Sequence, residues 1–226
     1  MLVEKINDLK RRLIEYATLV ESMIDKSIKG LLDRNETLFW EVMKRDEPKA
    51  NQFDREIDET CTVLIAQFEP VARDLRTVLM ILKMNNDLER MADHTVNISE
   101  SGLFLIARPF LKPLNNIPVM AQIAANMLKD SISAFINDDP NLARSVLNLD
   151  NQVDDLADKL LEEASSFMRA EHDGIKRSLH LMRIAHNIER IADLSTNICE
   201  EVIYIVEGKY IKHTKDNEST PVVDKL

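Results

Sequence analysis

Glu89-Arg-Met-Ala-Asp93-His-Thr-Val-Asn97-Ile-Ser-Glu100 returns one hundred residues later as Glu189-Arg-Ile-Ala-Asp193-Leu-Ser-Thr-Asn197-Ile-Cys-Glu200, with seven of the twelve positions identical. The polar residues repeat better than the apolar ones. A packing face tolerates any similar apolar set, so a repeated Glu, Arg, Asp, Asn and Glu points to a polar constellation built twice. The chain of 226 residues therefore divides into two similar halves. A second pair of motifs, Asp54-x-x-Ile57-Asp58 and Asp150-x-x-Val153-Asp154, extends the duplication.

Composition sets the fold class. With 30% charged and 45% hydrophobic residues, four Gly and 5% aromatic residues, the chain suits helical bundles better than sandwiches or nucleotide-binding α/β folds. Apolar residues recur at helical spacing from Ile6 to Leu31, then from Phe39 to Phe68, with Pro48 expected to kink or divide the second segment. Pro70 separates a third helix over about 71–107, with Gly102 softening its end. Pro109, Pro113 and Pro118 mark a linker over 108–118. The second half repeats the plan: a helix over about 119–136, a capped start at Asn137-Asp-Asp-Pro140, a close at Gly174, and a last helix over 175–207 that stops at Gly208. The reading is all-α, two tandem pseudo-symmetric three-helix bundles of six long helices over 1–107 and 119–208. A polar tail over 209–226 is expected to be disordered.

Several function classes fall away. A formal charge of −10 without a basic stripe opposes nucleic-acid binding. The N-terminus lacks the apolar region of a signal peptide, and no run of about twenty apolar residues offers a transmembrane segment, which predicts a cytoplasmic protein. Cys61 and Cys199 have no ligand-like spacing and read as core thiols. Phosphate loops, HExxH and GxSxG are absent from the sequence, so nothing recommends an enzyme.

The acids carry the chemistry. At 100° per residue from Glu89, Asp93, Asn97 and Glu100 fall at roughly 40°, 80° and 20°, all on one side of the helix, and Glu189, Asp193, Asn197 and Glu200 repeat this. Asp54 with Asp58, and Asp150 with Asp154, each lie one turn apart beside an apolar stripe. With 39 acids in 226 residues, chance supplies about seven such pairs, so one pair means little; recurrence in register on neighbouring helices is what counts. Two like charges at 4 Å cost about 4 kcal/mol at an effective dielectric of 20. Facing acid pairs therefore call for raised carboxyl pKa values, cationic neighbours such as Arg90 and Arg190, or a bound cation. An all-oxygen set suits Fe(III), Mn, Mg or Ca more than structural Zn. His186 lies on the same face as a further candidate, with a satisfied histidine the commoner case, whereas His94 points elsewhere. A carboxylate-bridged metalloenzyme or metal store is the alternative, although the Glu-x-x-His signature of di-iron bundles is missing.

The Glu-Arg-x-Ala-Asp-x-x-x-Asn-Ile-x-Glu motif in both halves, Asp54-Arg-Glu-Ile-Asp58 and Pro70-Val-Ala-Arg-Asp74-Leu-Arg76 resemble the PhoU family of phosphate-uptake regulators over residues 1–208. The resemblance implies two three-helix bundles whose (Glu/Asp)-x-x-x-Asp motifs hold metal, iron above all and in some members multinuclear. Those motifs are Asp54/Asp58 with Glu89/Asp93, and Asp150/Asp154 with Glu189/Asp193. It also implies an adaptor that restrains phosphate uptake and phosphate-starvation signalling, with the phosphate ABC transporter ATPase subunit and a sensor histidine kinase as partners. Long amphipathic helices make a homodimer a further expectation. The second half has no close counterpart of Pro70–Arg76, so the resemblance does not carry over to equivalence of the two sites in nuclearity or occupancy.

Overall fold

The computed structural model describes residues 1–109, 116–170 and 174–209. Helix α1 (Leu2–Leu32) buries the stripe read from the sequence, with Leu9, Leu13, Tyr16, Val20, Met23 and Leu31 inside. Asn35 caps α2 (Glu36–Glu41) by accepting the Thr37 N–H at 3.1 Å. One π turn, Val42–Asp46, joins α2 to α3 (Glu47–Phe68). The wide turn sits just ahead of Pro48, whose nitrogen has no hydrogen to donate, and the Glu47 N–H reaches back to the Val42 carbonyl. Pro48 thus divides this segment as expected.

Glu69 (φ 44°) and Ala72 (φ 47°) make the corner around Pro70 into α4 (Ala72–Ile106). The second half holds α5 (Asn116–Asn137), α6 (Pro140–Leu147), α7 (Asp150–Ala170) and α8 (Ile175–Glu207). Asp139 caps α6 through the Asn141 and Leu142 N–H groups, with Pro140 in the first turn. Gly208 ends α8 in the left-handed region at φ 67°.

Three segment boundaries differ from the sequence reading. Helix α5 begins at Asn116, inside the stretch expected as linker, whose residues 110–115 lie outside the described ones, as does the tail from 210. The fifth segment breaks at Asn148–Leu149, where the Leu149 N–H bonds to Val146 and the Gln152 N–H to Leu149. No Gly or Pro announces that break. Gly174, expected to close this segment, is the residue that starts α8.

Each half supplies three layers of helix, and the halves are fused. Helix α4 runs along α8, α1 lies against α5, and one apolar cluster passes through both sets. Cys61 and Cys199 are fully buried in that core. Gly102 turns out to be a packing device, not a soft helix end. A Cβ there would sit 2.3 Å from Phe39 Cζ, and one at Gly30 would sit 2.9 Å from Phe39 Cε1. Phe39, with no exposed surface, fills the space these glycines leave between α1 and α4. Gly102→Ala is expected to lower stability by about 2 kcal/mol in urea unfolding despite alanine's better helix propensity, because the ring has no room to retreat. Shrinking the ring in Gly102→Ala/Phe39→Leu should recover part of the loss.

Candidate functional site

The first acid set lies where α3 packs against α4. Asp54 and Glu89 are partly buried, while Asp58 and Asp93 stand at the exposed rim. Buried Asn85, one turn before Glu89, donates its amide to Asp54 Oδ1 at 2.7 Å and to the Asp54 carbonyl at 3.0 Å. Burial, then the charge of Asp58, raises the Asp54 pKa above the usual carboxylate range, and Asn85 opposes the rise. Burial likewise raises Glu89, with Asp93 and Asp54 adding to it. Asp93 is raised by burial and by Glu47, an acid on α3 outside the repeated motifs. Tyr16 of α1 is fully buried within the field of Asp54, Glu89 and Asp93.

The second set, where α7 packs against α8, follows the same plan with fewer compensations. The residue equivalent to Asn85 is Ala185, so Asp150 lacks the amide that steadies Asp54. Its Oδ1 is buried without a hydrogen-bond partner. Burial, followed by Asp154, Asp193 and Glu189, pushes Asp150 up to about 6. Asp154, exposed at the rim, is raised by burial and by Asp193, Asp158 and Asp155. Arg190 donates to Asp193 Oδ2 at 2.7 Å, so it orients one acid. His186 Nδ1 stands 3.6 Å from Glu189 Oε2, beside a shallow pocket lined by Asp158, Leu161, Met182 and Glu189.

Asn97 and Glu100 lie further along α4 and face the other half of the molecule. Arg183 of α8 donates to Asn97 Oδ1 at 2.6 Å and to Glu100 Oε2 at 3.0 Å. Lys83 of α4, the equivalent of Arg183, reaches Glu201 Oε2 at 3.5 Å, one residue beyond Glu200, and Asn197 and Glu200 occupy the equivalent stretch of α8. Thus Asn97 and Glu100 help join α4 to α8, while the four-residue sets at Asp54/Asp58/Glu89/Asp93 and Asp150/Asp154/Glu189/Asp193 form the two acidic centres. His94, read as pointing away from the carboxylate face, belongs to this seam: its Nδ1 pairs with Asn187 Oδ1 at 2.8 Å.

Four contributors escaped the sequence reading. Asn85 and Glu47 have no counterpart in the other half, so the repeat hid them. Lys83 and Arg183 repeat one hundred residues apart but lie just before the twelve-residue motif; their like charge was the available signal.

The donors suit a hard cation: they are oxygens throughout, five of the acids are raised by burial and mutual repulsion, and one buried carboxylate oxygen has no partner. The seam is wetter than the repulsion argument assumed, with Asp58, Asp93 and Asp154 at its rim. Among the described residues, no three His, Cys, Asp or Glu side chains converge on one centre. The acids share a field before they share a point.

An all-α protein made of two fused, equivalent helical halves, each with an acidic centre between its last two helices, is what fold and site define together. The PhoU domain matches residues 13–102 and again 117–202, and the chain belongs to the PhoU family. It is 37% identical over 212 residues to the phosphate-specific transport system accessory protein PhoU homolog of Aquifex aeolicus, covering 94% of this chain and 96% of that one. A Thermotoga maritima relative, PhoU homolog 2, is 35% identical and is covered to 90%. The crystal structure of PhoU from Pseudomonas aeruginosa superposes with a TM-score of 0.89 at 28% identity, over 92% of this chain and all of that one. The phosphate transport system regulatory protein PhoU from Streptococcus pneumoniae gives 0.87 at 25% identity, over 94% of this chain and all of that one. Among the described residues, no helix is long and apolar enough to cross a membrane.

Proposed function

We propose that this protein is a cytosolic metal-binding regulator that restrains phosphate uptake and phosphate-starvation signalling. It acts as an adaptor, not a catalyst, on the ATPase subunit of a phosphate ABC transporter and on its sensor kinase. Relatives over nearly the whole chain are named accessory proteins of phosphate-specific transport, which supports the regulatory role. The observation that carries the metal reading is the duplicated set of acids where each half's last two helices meet, with Asp54, Glu89, Asp93, Asp150 and Asp154 held above their ordinary pKa and a partnerless buried oxygen on Asp150.

A hard cation, iron above others, would be held by Asp54, Asp58, Glu89 and Asp93 in one half and by Asp150, Asp154, Glu189 and Asp193 in the other. Bound there, it supplies positive charge that the protein itself lacks. The rim acids Asp58, Asp93 and Asp154 are exposed, whereas Asp54 is held by Asn85. Tying α3 to α4 and α7 to α8 sets the outer face that those helices present. Leu79 of α4 and Leu179 of α8, at equivalent positions, are exposed and suited to a partner or a second copy of the chain.

Untagged protein should co-purify with the transporter ATPase and contain metal by elemental mass spectrometry. Asp58→Asn/Asp154→Asn should lose most of that metal and melt lower in its presence. Metal content unchanged by the substitutions would remove these residues from the assignment, and failure to retain the ATPase would remove the adaptor reading.

A further inference from the structure

We infer that Tyr16 is a positioning residue for the first acidic centre alone, its hydroxyl donating to an oxygen at the bound cation, either a cluster carboxylate or a water that the ion carries. The inference rests on the metal reading above and adds a residue outside the acid motifs, and a chemical difference between the halves.

Tyr16 has no exposed surface, yet its hydroxyl has no hydrogen-bond partner. A buried hydroxyl without an acceptor is costly enough that native proteins rarely leave one unused. The ring is fixed from the side. It stacks parallel on Phe53, centroids 5.4 Å apart and 3° between planes, and the Arg12 guanidinium lies 4.0 Å from the Phe53 centroid. Arg12 in turn is paired with Glu56 and with Glu15, so the stack is anchored on α3, beside Asp54. A phenol is a hydrogen-bond donor at neutral pH, and Phe53, on which the ring stacks, immediately precedes Asp54 on α3.

The second half has no such group. Counting back nineteen residues from the equivalent caps Asn35 and Asp139 gives Tyr16 and Met120, both fully buried. The register is sound, because buried Ser27 and Ser131, eight residues before each cap, make the same hydrogen bond to the carbonyl three residues earlier. A thioether is a weak acceptor and no donor. The first centre therefore orients an ion-bound oxygen that the second leaves to solvent.

The test isolates the first centre with Asp154→Asn in the full chain and titrates Mn(II), reading free ion by its EPR signal. Adding Tyr16→Phe should weaken binding about tenfold, as expected for one hydrogen bond to a charged group. The metal-free melting temperature should be equal or higher, since an unsatisfied hydroxyl has gone. Met120→Leu, measured with Asp58→Asn, should leave the second centre's affinity within about twofold. Equal affinity with and without the phenol, while the Asp154→Asn parent binds Mn(II), overturns the role of Tyr16 and spares the metal reading. A parent and wild-type chain that bind no Mn(II) overturn both. A tenfold loss accompanied by a much lower metal-free melting temperature marks Tyr16 as structural and overturns the inference.

Discussion

Metal-stripped protein carrying Asp150→Asn is expected to be more stable than metal-stripped wild type at pH 7.5, by about 2 kcal/mol in urea unfolding. Asp150 titrates near 6 when folded and near 3.8 when unfolded, because burial and three neighbouring acids penalise its charge. Above pH 6 the folded protein bears that penalty in full. As pH falls from about 6 towards 3.8 the folded state takes up a proton before the unfolded state does, so the penalty fades and relative stability rises. Partly buried His94 and His180 act in the opposite sense. Their pKa values are lowered by burial, so they oppose folding as pH drops below about 6.5. Comparing wild type with Asp150→Asn cancels the histidine contribution and leaves that of Asp150. Adding a divalent cation should reverse the order, because wild type gains binding energy that the variant forgoes. A metal-stripped variant no more stable than wild type would mean that Asp150 is already compensated.

Lys26→Met is expected to cost about 3 kcal/mol, seen as a lower urea midpoint with an unchanged slope. The Asp46 carboxylate is 3% exposed and is held by Lys26 from α1 and by Arg45 Nε at 3.2 Å. Without Lys26 a nearly buried charge is left with one partner that is itself half in solvent. Lys26→Met/Asp46→Leu should recover most of the loss, since an apolar pair of similar volume removes the stranded charge. Asp46 closes the π turn that sets the start of α3, so the single variant should also disturb the acid register at Glu47 and Asp54 and weaken metal retention. If the single variant is as stable as wild type, Arg45 alone suffices.

The helices were legible because each depends on short-range rules. The stripe of α1, the caps at Asn35 and Asp139, the break before Pro48 and the stop at Gly208 follow from spacing, side-chain acceptors and backbone freedom within a few residues. The break at Asn148–Leu149 was not legible, because no residue there forbids helix. Gly102 was misread because its reason is Phe39, more than sixty residues away.

The acids divide in the same manner. Asp54, Asp58, Glu89, Asp93 and their counterparts were found because duplication writes them twice. The steadying amide of Asn85, the extra charge of Glu47 and the phenol of Tyr16 were not, because they occur in one half only. Asn97 and Glu100 share the helix face of Glu89 by angle, but they lie two to three turns along it, where Arg183 meets them. Helical angle fixes direction around an axis and says nothing about which neighbour stands there.

By itself the sequence determined an all-helical chain, two equivalent halves, and which acids form the repeated pairs, because periodicity and repetition are properties of the chain order. Only tertiary structure decided that the halves fuse along α4 and α8, that three of the eight acids, Asp58, Asp93 and Asp154, stand at a wet rim, and that Asp150 lacks the partner Asp54 has. Those outcomes depend on which distant side chain fills the space beside each group, and hence on how much water and charge remain there.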